Sequence, residues 1–429
     1  MRPARYRWWV IGILFLVAFI NFGDRSIIGT VGPLILKAFH FNASQYGLIL
    51  GAFGFGVVGV ELLLSGSLIR RFQPRGLVAG MMLLWSVLLG ITVTATSVGV
   101  FVLWRVLFGM SEGSNWPAFE SLIARWMAKD ETARAFNMTW AGISMSGLVF
   151  PPVVVFLATR FTWRGPFIVL GVVGVIVTIL FYWMITNYPE QNHHVTPTER
   201  EYIMTRRLVP RPVGQRYSWK RLLSSGSVWW AALGSFASAY TLYLISGWLA
   251  VYLTEIRHVP YSHVGFLLAA AFAGGILAAI ISGAVSDRFY KKGRVHVARA
   301  VLPAISSIVG GIALLAVQVV SSLTLIMILV GLTTFFAQAV NGILGATAMD
   351  IGPHEPHMTG QIITGIGGVG GILAPLVTGF AVQATHSFNA AFLIAGGLSL
   401  VIGACMLILF RIHPVPLNPD QNEDLVVGK

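Results

Sequence analysis

Charged residues and cysteine are both scarce in this sequence. Charged side chains make up 10% of its 429 residues, whereas a soluble globular domain has about 25%. Hydrophobic residues make up 56% of the chain. A single cysteine, Cys405, excludes a disulfide within the chain. The composition therefore excludes an ordinary soluble domain and a disulfide-stabilised secreted one, and it indicates a chain surrounded largely by lipid.

Long apolar stretches account for the hydrophobic excess. Each is about 20 residues long, which is enough for a helix to cross a hydrocarbon core of about 30 Å. Such stretches must be helical because lipid offers no hydrogen bonds to the backbone, and the short alternating segments of a transmembrane barrel are not seen. The sequence therefore predicts an all-α membrane protein with twelve transmembrane helices. The predicted spans lie near residues 7–29, 44–66, 77–97, 99–125, 136–158, 164–187, 227–253, 262–286, 298–318, 322–349, 360–384 and 388–411.

The net charge of +13 is explained by its distribution along the chain. Most of the 29 Lys and Arg residues fall in alternate loops, which the positive-inside rule places in the cytoplasm. The predicted outer loops hold only Lys37, Arg160, Arg164 and Arg257. We therefore expect a multi-pass protein of the cell inner (plasma) membrane with both termini in the cytoplasm, and no nucleic-acid partner.

A polar stretch divides the chain. Residues 188–226 are rich in Arg, His, Pro and Thr, and they predict a cytoplasmic linker between six-helix halves at 1–187 and 227–429, the second ending in a short cytoplasmic tail. A weak internal repeat supports this division. The loops after the second and eighth spans each place a glycine, Gly66 or Gly283, four residues before a charged pair and a basic turn.

The loop after the eighth span carries a family pattern. Gly283, Asp287 and Arg288 reproduce the Gly-x-x-x-Asp-Arg pattern of the major facilitator superfamily, which the chain resembles over nearly its full length. The first loop departs from this pattern, since Arg70 stands where the Asp is expected. The resemblance implies a major facilitator fold, and we interpret all four residues as a gating motif.

Within that superfamily the chain is similar to the anion:cation symporter family, which includes sugar-acid transporters. The similarity depends on several segments taken together, because each segment alone is weak evidence for the family. They are Asp24-Arg25, the stretch from Leu103 to Phe119, Trp163-Arg164, Pro189-Glu190 and Thr198–Ile203.

Ionisable residues inside the predicted spans are few, and each costs about 2.5–3.5 kcal/mol to insert. Arg105 and Glu112 are seven residues apart, close to two helical turns, so both face the same way. Asp24 and Arg25 form a second pair of opposite charges in the first span. Such pairs predict either a polar stripe that faces a central cavity or a structural ion pair that locks helices together.

The chemistry of these side chains suggests their roles. An arginine stays protonated and offers a planar fork that fits a carboxylate, so Arg25 and Arg105 are candidate substrate anchors. Carboxyl groups can be neutralised, so Asp24 and Glu112 are candidate proton-coupling sites. The family resemblance implies the same division. Glu61 is either a third coupling acid or a packing contact, and Glu120 is more consistent with a cytoplasmic network.

Other polar side chains in the spans could also face the substrate. These further candidates are Asn21, Asn137, Tyr240, Tyr243, Trp248, Gln338 and Asn341. Sugar-acid transporters of the resembled family carry polar side chains at the positions of Val57, Ile143 and Gly368, which predicts a less polar pocket here. The glycines from Gly365 to Gly371 predict either close helix packing or a flexible gating helix.

The leading hypothesis is proton-coupled import of a small organic anion by alternating access. It implies a proton as coupling ion, no cofactor, the lipid bilayer as surroundings and a monomer. Alternatives are an anion exchanger, although the seventh span has no Arg or Lys, and a drug:proton antiporter, although no Gly-Pro step follows Gly147. Outside transport, a membrane sensor is the remaining alternative.

We expect no enzyme, because no catalytic constellation is evident in the sequence. We also expect no metal site, because His193-His194 lack a third ligand.

Overall fold

Sixteen α-helices make up nearly all of the described chain. The structure is a computed structural model that describes residues 6–64, 68, 71–113, 115–207, 219–353 and 356–415. The helices, numbered in chain order, are α1 Tyr6–Thr30, α2 Gly32–Phe39, α3 Ala43–Leu63, α4 Pro74–Ile91, α5 Val98–Glu112, α6 Asn115–Trp126, α7 Thr132–Phe161, α8 Arg164–Met184, α9 Pro197–Arg206, α10 Trp219–Leu223, α11 Gly226–Val251, α12 Tyr261–Lys291, α13 Leu302–Ala316, α14 Leu323–Ile351, α15 Pro356–Thr385 and α16 Asn389–Leu409.

The helices confirm the predicted all-α membrane fold. Within the described residues, 11 helical segments are long and apolar enough to cross a membrane, and they correspond to all predicted spans except the fourth. In the region of the fourth span, 99–125, helix α5 ends at Glu112 and α6 begins at Asn115. Ser114, which lies between them, falls outside the described residues.

The chain divides into two units. Unit 1 contains Met1–Val209 and Ser246–Phe272, and unit 2 contains Pro210–Ile245 and Ala273–Lys429. The predicted boundaries of the halves, 1–187 and 227–429, stay a prediction. In unit 1, α1 packs along α7, α3 along α5, and α4 along α8. In unit 2, α13 packs against both α14 and α16.

Glycines allow α3 and α5 to approach each other closely. A methyl group added at Gly109 would overlap the backbone oxygen of Phe53, and one at Gly113 would lie 2.7 Å from the backbone oxygen of Val57. Small residues at such crossings let helix backbones meet where lipid supplies no hydrophobic driving force. This contact determines where Phe53 lies relative to the side chains of α5.

The glycine-rich segment of α15 packs in the same way within unit 2. A methyl group at Gly370 would overlap the backbone oxygen of Phe236, and one at Gly371 would lie 2.9 Å from the ring of Tyr243. Both neighbours belong to α11. Of the two predictions for this segment, close helix packing is therefore confirmed.

The first part of the predicted linker packs onto unit 1. The Glu199 carboxylate in α9 is fully buried and accepts hydrogen bonds from the backbone N–H groups of Tyr6 and Arg7, both at 3.1 Å. The Arg7 guanidinium pairs with Glu199 at 3.0 Å and with Glu131 at 2.8 Å. Because burying unpaired charges is costly, these bonds hold α9 against the start of α1.

We predict that Glu199→Ala destabilises the protein by roughly 3–5 kcal/mol, because it leaves Arg7 and two backbone N–H groups without their buried acceptor. Thermal unfolding of the purified protein in detergent would measure the effect. Glu201→Ala is the matched control, since Glu201 lies two residues away on α9 and is exposed. Equal melting temperatures for the two variants would contradict the prediction.

Candidate functional site

A buried ion pair joins α1 to α5 inside unit 1. Arg25 Nε donates to Glu112 Oε2 at 2.6 Å, and the Glu112 side chain is completely buried. Arg25 Nη2 also donates to Asn21 Oδ1 at 3.3 Å. Asn21 lies beside Glu112 as well, although its Nδ2 does not reach hydrogen-bonding geometry. The pair therefore places one cation and one carboxylate, with an amide between them, in the interior of an apolar helix bundle.

The two candidate anchors share an aromatic ring. The guanidinium carbon of Arg25 lies 5.2 Å from the centroid of the Phe53 ring, and that of Arg105 lies 4.7 Å from it. Arg105 is also close enough to act electrostatically on Glu112. Cations are attracted to the negatively polarised face of an aromatic ring. Two cations and one paired carboxylate thus meet at one apolar wall, an arrangement suited to binding an anion.

Asp24 lies in the same region and has no ion-pair partner among the described residues. It is 1% exposed, and neither carboxylate oxygen has a hydrogen-bond partner there. The indole of Trp85 lies beside it but outside hydrogen-bonding geometry. A buried carboxyl group without partners is costly to keep in such surroundings.

The structure shows an ion pair that the sequence did not predict. The sequence singled out Asp24 with Arg25 and Arg105 with Glu112 as opposite charges within one span, and the structure pairs Arg25 of the first span with Glu112 of the fourth. The reason is helix geometry, because consecutive residues point about 100° apart and so face different neighbours. The contact instead joins residues that are 87 positions apart, on two adjacent helices.

Glu61 and Glu120 lie on other helices of unit 1. Glu61 is half-buried near the end of α3, and Glu120 is half-buried in α6. The roles predicted for both stay predictions.

Unit 2 holds four of the predicted substrate contacts. Asn341 Nδ2 donates to Gln338 Oε1 at 3.4 Å on α14. Tyr240 is 3% exposed, and its hydroxyl has no hydrogen-bond partner among the described residues. Tyr243, one turn along α11 from Tyr240, packs against Gly371. These positions leave the Tyr240 hydroxyl available to a ligand.

Other candidates lie elsewhere. Trp248 belongs to unit 1, where its ring meets that of Tyr46 edge-on at 5.1 Å. Asn137 is exposed on α7. Of the proposed gating motif, Asp287 and Arg288 are exposed near the end of α12, which also contains Gly283. Arg70 lies outside the described residues.

The structure adds residues that sequence reasoning missed. Phe53 and Trp85 contact the charged groups, but the sequence offered no signal to separate them from ordinary apolar residues. Asn115 is 2% exposed, and neither of its side-chain polar atoms has a hydrogen-bond partner among the described residues. A signal for Asn115 did exist, because Gly113-Ser114 interrupts the apolar fourth span immediately before it.

Comparisons with known proteins agree with this architecture. Residues 14–363 match the family model described as Major Facilitator Superfamily. A probable sulfoacetate transporter of Cupriavidus necator is 28% identical over 97% of this chain and 96% of its own length. The hexuronate transporter of Bacillus subtilis is 25% identical over 96% of both chains. A probable L-galactonate transporter of Escherichia coli is 25% identical over 96% of this chain and 90% of its own.

Solved structures show the same fold. A bacterial homologue of the human lysosomal transporter Spinster, in an inward-facing and unoccupied conformation, superimposes with a TM-score of 0.72 at 17% identity. That match covers 95% of this chain and 96% of the other. The nucleoside transporter NupG gives a TM-score of 0.70 at 13% identity, covering 94% of this chain and 100% of its own.

We predict that the Arg25–Glu112 pair is asymmetric in its contribution to stability. Arg25→Gln should lower the melting temperature more than Glu112→Gln, because it leaves a completely buried carboxylate, whereas the Arg25 side chain is 18% exposed. The double variant that combines Arg25→Gln with Glu112→Gln should recover most of the melting temperature that Arg25→Gln alone loses. Thermal unfolding of the wild type, both single variants and the double variant gives the coupling energy, which we expect to be about 2 kcal/mol. Additive losses in the double variant would refute this prediction.

Proposed function

The chain belongs to the Major Facilitator Superfamily, and from this premise we propose that it imports a small organic anion together with protons by alternating access. It is a multi-pass membrane transporter and not an enzyme. One observation carries the proposal: a buried Arg25–Glu112 ion pair with a second guanidinium, that of Arg105, on the same aromatic ring. We place the transporter in the inner membrane, with both termini in the cytoplasm.

Two guanidinium groups at one aromatic ring are the reason to propose an anion. Arg25 and Arg105 both lie over Phe53, and Arg25 pairs with the Glu112 carboxylate. A guanidinium fork binds carboxylate, sulfonate or phosphate through two parallel hydrogen bonds. Because the surrounding helices are apolar, an anion that reaches these cations is attracted more strongly than in solution.

The sequence of unit 1 favours a small anion with few hydroxyl groups. Val57 and Ile143 offer no side-chain hydrogen bonds where the resembled sugar-acid transporters carry polar side chains. A sugar acid would leave its hydroxyls unpaired in such a pocket, which costs binding free energy. The printed names of the relatives include transporters of sulfoacetate, hexuronate and L-galactonate. Of these substrates, we propose that this chain's resembles sulfoacetate, a short dianion without hydroxyls.

The ion pair also provides a route to proton coupling. An arriving anion competes with Glu112 for the hydrogen bonds of Arg25. Glu112 then loses its cationic partner in a dry site, where the neutral, protonated carboxyl is favoured. Binding of the anion therefore recruits a proton, and by thermodynamic linkage the proton strengthens binding of the anion equally. Asp24, which has no ionic partner in the described part of the chain, is the second acid available for coupling.

Uptake into proteoliposomes tests the proposed function. The purified protein is reconstituted with an acidic exterior and offered labelled sulfoacetate, malonate, succinate, D-glucarate, L-galactonate and benzoate in turn. We expect a short dianion to accumulate above its external concentration, and a protonophore to abolish the accumulation. Protein-free liposomes are the control. Uptake that needs a preloaded internal anion and ignores the pH gradient would establish an exchanger instead, and uptake of none of these anions would refute the proposal.

We predict that Glu112→Gln separates substrate exchange from coupling. The variant keeps the size of the side chain but cannot titrate, so it should still perform counterflow and lose accumulation driven by a pH gradient. Asp24→Asn should impair accumulation in the same way. Glu255→Gln is the control, because Glu255 is exposed in the π-helical turn Tyr252–Ile256 that follows α11 and should behave like wild type.

Two results would count against this role of Glu112. Continued accumulation by Glu112→Gln in response to the gradient would show that coupling occurs elsewhere. Loss of counterflow together with accumulation would show that the residue is structural or contacts the substrate directly.

A further inference from the structure

Asn115 is a buried primary amide without hydrogen bonds. It begins α6, is 2% exposed, and both its Oδ1 and Nδ2 atoms lack a partner among the described residues. Buried amides in folded proteins almost always find partners, because leaving one unpaired is costly. An amide with both functions unsatisfied therefore points to a group that arrives during the protein's working cycle.

The chain keeps Asn115 close to the charged site. It follows Glu112 by three residues, so the two Cα atoms are separated by no more than about 11 Å. Glu112 pairs with Arg25, and its second oxygen, Oε1, likewise has no hydrogen-bond partner among the described residues. One carboxylate oxygen of Glu112 and the amide of Asn115, both buried and both without hydrogen bonds to the described residues, thus lie on either side of the break between α5 and α6.

Helix α6, which Asn115 begins, also packs against α1. Its last residue, Trp126, places its ring 6.2 Å from that of Tyr6, the first residue of α1. The amide therefore belongs to a helix that contacts the helix of Arg25 and Asn21.

Close packing keeps the break in place. A side chain at Gly113 would lie 2.7 Å from the backbone oxygen of Val57 and 2.8 Å from Cβ of Val60. The end of α5 is thereby held against α3. Asn115 is thus presented from a packed part of unit 1.

We propose that Asn115 forms a second subsite, which binds a polar oxygen at the far end of a short anion whose first anionic group is held by Arg25 and Arg105. This inference rests on the proposed transport function. Nδ2 offers two N–H donors to a carboxylate, sulfonate or hydroxyl oxygen, and Oδ1 accepts a hydrogen bond from a hydroxyl. The ligand class is therefore a short organic acid with a second oxygen-bearing group, and an acid with only one such group leaves the amide unsatisfied.

Three small acids of similar carbon frame test the proposal by their stabilisation of the purified full-length protein. Acetate has one carboxylate, glycolate adds a hydroxyl, and malonate adds a second carboxylate. The affinity of the protein for each acid is determined from the rise of its melting temperature with the concentration of that acid. In the wild type we expect malonate or glycolate to bind about tenfold more tightly than acetate, and which of them does so identifies the second group.

Asn115→Leu is the informative variant, because leucine has nearly the same volume and no polar atoms. It should remove the preference for the two-group acids while changing acetate affinity by less than about threefold. Without ligand, its melting temperature should equal or exceed that of the wild type, since a buried unpaired amide has been replaced by an apolar group. Asn389→Leu is the control and should leave the preference intact, because Asn389 likewise begins a helix, α16, but is exposed.

Four results other than those expected would overturn the inference that Asn115 forms a second subsite. A lower melting temperature of ligand-free Asn115→Leu, with equal losses for all three acids, would show that the amide has a structural role. An unchanged preference in Asn115→Leu would show that the second group binds elsewhere. If the wild type transports an anion but binds acetate as tightly as the two-group acids, the subsite is refuted and the transport function stands. If no anion is bound or transported, the proposed function fails as well.

Discussion

The Arg25–Glu112 ion pair is the interaction on which the organisation of unit 1 depends. Burying a charge of either sign within an apolar bundle costs desolvation free energy. The ion pair offsets this cost only because its donor and acceptor meet at 2.6 Å. That requirement brings α1 and α5 together at one level. It also explains the neighbours, since Asn21 contacts both partners and Phe53 covers the guanidinium. Whatever separates the two charges must supply other partners for both, and an anion and a proton do so.

Backbone packing determines the positions of these charges. Gly109 lets α5 approach the backbone of Phe53, and this approach brings the ring under both guanidinium groups. A larger residue at Gly109 would push α3 away and remove the aromatic wall without touching any charged residue. The selectivity of such a site is therefore encoded partly in residues that carry no functional group.

Hydropathy predicted the helices well. Backbone N–H and C=O groups must form hydrogen bonds within the protein when lipid surrounds them, and this leaves few structures other than helices. Composition also identified Arg25, Arg105 and Glu112, since charges are rare in such spans. The pairing could not be predicted, because the partner of Arg25 is set by how α1 and α5 pack and not by local spacing. Asn115 was missed for a related reason. The Gly113-Ser114 interruption before it signals a break in the span, and only the folded chain shows that the amide at this break is buried without hydrogen bonds to the described residues.

The contact between Glu199 and the start of α1 has a practical consequence for handling the protein. The backbone amides of Tyr6 and Arg7 are themselves the donors, so the peptide that enters the first helix is part of the attachment of α9. A fusion partner or rigid affinity tag joined directly ahead of Tyr6 would compete with this attachment whatever its own sequence. A purification handle belongs at the other end of the chain, or behind a spacer long enough to leave these two amides undisturbed.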